Sequence, residues 1–259
     1  MSETPVETKL GEDGILEIRL QSNTQNSMTP AAFAALDQAI TEYSTNSAVR
    51  SVVLASNKEG FFCAGLDIDG VLKASESELD AVFQYFFSVL KKLYFFPVPV
   101  TAAINGHAMG YGAMLASVSD YRYVVEKGAR VSFPEVNIGI GLPVFVTRIV
   151  QDLVGVVNTR DLFLTGRALK APEAAAMGLV DEVLAPDQLE AKARANAKRI
   201  AGLSASAVRS LKESMRARHA ADADAIIAAD IKSTMGNLDS PDAKEGFSAV
   251  VEKRRPKFS

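Results

Sequence analysis

The sequence predicts an α/β protein of repeated strand–helix units, finished by a helical C-terminal region. Three observations carry this. Short apolar runs, partly β-branched, at Ile15–Leu20, Ser51–Ser56 and Val100–Ile104 alternate with longer stretches of helical spacing. The order strand, helix, strand recurs through the first two thirds of the chain. After Pro186 the strand signals stop, and only Ala-rich helical runs follow, the last one opened by Ser240-Pro241. The chain therefore divides into a core over residues 1–186 and a helical region over residues 187–259.

Taken in order, Val6–Leu10 and Ile15–Leu20 flank Gly11-Glu12-Asp13-Gly14 and read as a β-hairpin. Ser22–Thr29 is a polar loop. Pro30 starts a helix whose Phe33, Leu36 and Ile40 fall at helical spacing. Ser51–Ser56 is the next strand, centred on Val52, Val53 and Leu54. It runs into a glycine turn, Gly60-Phe61-Phe62-Cys63-Ala64-Gly65-Leu66-Asp67-Ile68, and then toward a helix. Asp67 reads as a helix cap or first-turn acid. Cys63, in an apolar run with no neighbouring base, reads as a packed thiol. Over Glu76–Phe96, Leu79, Val82, Phe83, Phe86, Phe87, Leu90, Leu93 and Tyr94 repeat at steps of three and four. That face is core, or the wall of an apolar pocket. Pro97 ends it.

The stretch Pro99–Asp120 organises the rest. A buried strand, Val100–Ile104, leads into Gly106, Gly110 and Gly112 and then a small-residue helix over Ala113–Ser117. Glycines between strand and helix allow close backbone approach and leave helix N–H groups free. Such a junction is either a tight turn or a site for an anion, including an oxyanion that exists only during reaction. Asp120–Glu126 is a further strand. Glu135 then stands among Phe133, Val136 and Ile138, with no further charge until Arg148. It is either a surface acid or a carboxylate whose pKa is raised by apolar surroundings, suited to moving protons. Neither Gly106–Gly112 nor Ile138-Gly139-Ile140-Gly141 has dinucleotide-fingerprint spacing, so no nicotinamide cofactor is expected.

Composition bounds the function. A net charge of −3 gives no basic field for nucleic acid. One cysteine excludes an internal disulfide and an all-cysteine metal site and fits a reducing, cytoplasmic setting; two histidines, His107 and His219, exclude a His-rich zinc site. The N-terminus is polar and acidic without a signal-peptide pattern, and no apolar run is long enough to span a membrane.

The two glycine turns, the Glu135 segment and Ala171-Pro172-Glu173-Ala174-Ala175-Ala176-Met177-Gly178-Leu179-Val180-Asp181 together resemble the crotonase superfamily of enoyl-CoA hydratases and isomerases. The resemblance runs from the first hairpin to Glu252-Lys253-Arg254-Arg255-Pro256. It implies a spiral of repeated ββα units carrying an acyl-CoA site. It also implies C-terminal helices that associate the chains as a homotrimer or dimer of trimers. The thioester oxygen would be held by the backbone N–H groups of Leu66 and Tyr111, where family hydratases usually have glycine at the second place. The family's first catalytic glutamate falls on Met114; its second falls on Glu135. One carboxylate suits a 1,3-proton shift, two suit hydration. The resemblance further implies CoA contacts at Ala64, Leu66 and Ile68, and one at Lys253, which otherwise reads as a solvated charge. Phe83, Phe87, Met114 and Leu142 are acyl-pocket candidates. No metal and no separate cofactor are implied, since coenzyme A arrives with the substrate.

Overall fold

The computed structural model describes residues 4–258. The first residues of the polar N-terminus, 1–3, lie outside the described residues, as does residue 259 of the helical region. The hairpin pairs β1 (Val6–Leu10) with β2 (Ile15–Leu20), Val6 opposite Leu20 and Leu10 opposite Leu16. Helix α1 (Pro30–Ser44) starts on Thr29, whose side chain accepts from the Ala32 N–H. Repeats then follow, each with a long strand, a short strand and helix. The first holds β3 (Ser51–Ser56), β4 (Gly60–Cys63), α2 (Ile68–Lys73) and α3 (Glu76–Tyr94). The second holds β5 (Val100–Ile104), β6 (Gly106–Met109) and α4 (Tyr111–Val118). The third holds β7 (Tyr121–Val125), β8 (Arg130–Ser132), a 3-10 turn at Glu135–Ile138 and α5 (Val144–Thr165), which breaks at Gly155 with φ 77°. The short β9 (Leu169–Lys170), α6 (Ala171–Ala176) and β10 (Glu182–Leu184) precede four helices: α7 (Pro186–Ala201), α8 (Ala205–Ala220), α9 (Ala223–Leu238) and α10 (Pro241–Val251).

The long strands form one sheet in the order β1-β2-β3-β5-β7-β10, parallel from β2 onward. Every residue of β3 and β5 is buried, as expected of central parallel strands covered on both faces. The short strands form a second sheet, β4-β6-β8-β9. The residues alone did not reveal this sheet: Gly106–Met109 reads as part of a glycine turn but is strand β6. Four residues are too few for alternation to register. The glycine has a different task here, because a Cβ on Gly106 would fall 2.0 Å from the Gly60 carbonyl carbon. Only glycine lets β4 and β6 pair this closely.

The helical C-terminal region packs onto the core. Leu189, Ala193 and Ala197 of α7 are buried in the same cluster as β3, β5 and β7. Helix α8 is tied down by Lys212, fully buried, which donates to Asp120 at 2.6 Å and to the Val98 carbonyl at 3.0 Å. Burial lowers the Lys212 pKa, and the adjacent Asp120 carboxylate opposes that.

Candidate active site

Two backbone arms face each other at the C-terminal ends of β4 and β6. In the first, the Met28 N–H donates to the Gly65 carbonyl at 2.8 Å, and the Asp67 N–H donates to the Met28 carbonyl at 3.2 Å. This bridge uses the residues on either side of Leu66, so the Leu66 N–H points the other way. No acceptor among the described residues takes it. The loop is held by Asn26, buried at φ 55°, whose side-chain amide reaches the carbonyls of Leu20 and Phe62 and the Ser56 hydroxyl.

In the second arm, Gly110 at φ 52° caps α4, and its N–H is held by the Ser132 carbonyl at 2.9 Å. Tyr111 is the first residue of the helix, two places before the expected start. Its N–H is one of the orphan donors at a helix N-terminus, and it too has no acceptor among the described residues. The arms lie close together. A Cβ on Gly65 would sit 3.6 Å from the Tyr111 nitrogen, and one on Gly112 would sit 2.1 Å from the Cys63 carbonyl oxygen. Two N–H groups without acceptors among the described residues, beside the positive end of a helix, are an arrangement that favours negative charge.

Glu135 opens the 3-10 turn and lies against this junction. A Cβ on Gly110 would be 3.2 Å from Glu135 Oε1. The side chain is 6% exposed, and Oε2 has no hydrogen-bond partner. Burial pushes the carboxyl up from 4.5 to about 7, opposed only by its own backbone N–H. Helix α10 presses on the turn from outside: a Cβ on Gly246 would meet the Ile138 carbonyl oxygen at 2.2 Å, and one on Gly139 would meet the Asp242 backbone at 2.5 Å.

The arms and the carboxylate open onto one cavity of about 270 Å³. Ala64, Leu66, Ile68, Phe83, Tyr111, Met114 and Glu135 all line it. Phe87 does not; it is fully buried behind the wall, and Phe86, one helix turn from Phe83, faces the space instead. Leu142 does not either, and its neighbours Gly141 and Pro143 do. Lys253 is exposed beyond the end of α10, away from the lining, while Val250 is part of it. Sequence reasoning missed Thr234, Leu238, Phe247 and Val250, which bring α9 and α10 to the cavity. The signal was the Phe247/Val250 pair at helical spacing, hidden by the assignment of the whole region to assembly. Among the described residues, Glu135 is the only carboxylate on the lining. Cys63 is buried, with its thiol pushed up to about 12.

The sequence profile described as Enoyl-CoA hydratase/isomerase matches residues 11–259. The chain is 30% identical over 263 residues to the human enoyl-CoA hydratase domain-containing protein 2, mitochondrial, covering 99% of this chain and 90% of that one. Among solved structures it is similar to an enoyl-CoA hydratase/isomerase from Pseudoalteromonas atlantica (26% identity, TM-score 0.87, 98% of this chain and all of that one). It shares the fold of human mitochondrial delta3-delta2-enoyl-CoA isomerase at 20% identity and TM-score 0.88, over 96% of this chain and 97% of that one.

Proposed function

The chain belongs to the enoyl-CoA hydratase/isomerase family of the crotonase superfamily, and from that premise we propose that it isomerises 3-enoyl-CoA to 2-enoyl-CoA with Glu135 as its single base. The observation that carries this is the lining: among the described residues it holds one carboxylate, the buried Glu135, together with Met114, on which the family resemblance puts the first glutamate of the hydratases. Glu135 takes a proton from the α-carbon, and the electrons move onto the thioester oxygen. The N–H groups of Leu66 and Tyr111 stabilise that dienolate, each contributing roughly 10²–10³ in rate by analogy with other oxyanion holes. The same carboxyl, now protonated, returns the proton at the γ-carbon. A pKa near 7 suits a group that must both take and give the proton near neutrality. The reaction needs no metal and no cofactor beyond the coenzyme A of the substrate. Ala64 and Ile68 would border the CoA, with Lys253 reaching the CoA of a neighbouring subunit in a homotrimer or dimer of trimers.

A second reading is water addition to 2-enoyl-CoA, favoured by the hydratase name of the human relative. Assays of the purified protein on 3-enoyl-CoA and on 2-enoyl-CoA separate the two. Isomerisation predicts 2-enoyl product from the first and little 3-hydroxyacyl product from the second. The reverse pattern supports hydration, and no turnover of either supports a relative that only binds acyl-CoA.

A further inference from the structure

We propose that the Tyr111 side chain sets acyl-chain length, closing the apolar end of the cavity so that only short acyl groups enter. This rests on the acyl-CoA reading above. Tyr111 is 2% exposed, and its ring is fixed from three directions. The hydroxyl donates to the Phe86 carbonyl at 3.0 Å, the Phe86 ring lies 4.4 Å away, and the Phe33 ring meets it at 4.9 Å in an edge-on arrangement. Swinging the ring aside would strand a buried hydroxyl without a partner, so it does not act as a free gate. Nor is the phenol a proton donor for the substrate, since its hydrogen is already committed to Phe86.

The space that remains is small. About 270 Å³ is below the roughly 300–1,000 Å³ typical of pockets that enclose a drug-sized ligand. Within it must fit the thioester carbon beside the two N–H arms and the α- and γ-carbons beside Glu135. An acyl chain only a few carbons longer meets the Tyr111 and Phe86 rings, and Phe87 fills the interior behind them. The residue that supplies one oxyanion donor through its backbone thus limits the substrate through its side chain.

Calorimetric titration with saturated butyryl-, octanoyl- and dodecanoyl-CoA tests this without turnover. The wild type is expected to bind butyryl-CoA at least about tenfold more tightly than dodecanoyl-CoA, a modest demand given that one methylene is worth about 10–200-fold in a shaped apolar pocket. Tyr111→Ala should lower that preference by about tenfold or more, while Tyr111→Phe, which keeps the ring, should retain it. A wild type that binds all three within about threefold overturns the inference, whether or not the alanine variant folds. So does a folded Tyr111→Ala with an unchanged ratio. Absence of binding to every acyl-CoA is a different failure, because it removes the acyl-CoA reading itself.

Discussion

Glu135 is held in a state that costs stability. Its carboxyl is raised from 4.5 to about 7, so the folded chain binds that proton more tightly than the unfolded one. The contribution is therefore fully favourable below about pH 4.5 and is lost as pH rises through about 7. The difference amounts to about 3 kcal/mol at the alkaline end. Glu135→Gln keeps the size and removes the titration. At a fixed protein concentration, denaturant unfolding at pH 8 should show the variant about 1–3 kcal/mol more stable than wild type, with the gain vanishing near pH 4.5. Turnover should fall by at least 10³-fold while acyl-CoA binding stays within a few-fold. The ionised form is the base, so kcat/KM of the wild type should rise with pH through about 7 and level off above it. A flat profile from pH 5 to 9 would contradict a role for this carboxyl.

The elements that matter most are short, and this decided what the sequence could reveal. The hairpin, α1, β3, β5 and α3 were legible because each is long enough for a period of two or 3.6 to repeat. Strands β4, β6 and β8 are three or four residues long, and β4 pairs with β6 only because Gly106 lets the two backbones touch. Periodicity does not record such contacts. The Leu66 and Tyr111 positions came from family resemblance, and what the structure adds is the orientation of their N–H groups. Phe86 and Phe87 were indistinguishable in sequence, since which of two adjacent residues faces a cavity depends on how the helix is rotated. The same logic makes α10 testable. Gly246 touches the Ile138 backbone, so Gly246→Val must push α10 off the turn that carries Glu135. Loss of about 2 kcal/mol or more in stability is expected, since large overpacking effects run about 1–3 kcal/mol. The acid limb of the pH–rate profile should move below 7 as water reaches the carboxyl. An unshifted limb would mean that α10 does not control the burial of Glu135.

At the scale of the whole molecule, the helical region does two things. Helices α9 and α10 complete the cavity within one chain, and α8 offers an outward face. Leu211 and Met215 on that face are 64% and 67% exposed, although Lys212 between them is buried and anchored to Asp120. Large apolar side chains held rigidly outward on an anchored helix suit a contact between chains. Sedimentation of the wild type at micromolar concentration should give a trimer or a hexamer. Leu211→Glu combined with Met215→Glu should shift it to monomer, with the cavity of each chain retained. A wild-type monomer would refute the assembly and leave Lys253 without a neighbouring CoA to reach. Among the described residues no helix is long and apolar enough to cross a membrane.

The central claim is that one buried carboxyl both takes and returns the proton. A 3-enoyl-CoA of short chain length, deuterated at the α-carbon and turned over in ordinary water, tests it most directly. Glu135 lies in an apolar wall with Oε2 unpartnered, so the label should be carried from the α-carbon to the γ-carbon of the 2-enoyl product. Mass spectrometry is expected to find deuterium at the γ-carbon in a substantial fraction of product, and Glu135→Gln should form none of that product. A γ-carbon bearing only solvent hydrogen, with product formation undiminished in Glu135→Gln, would contradict the account.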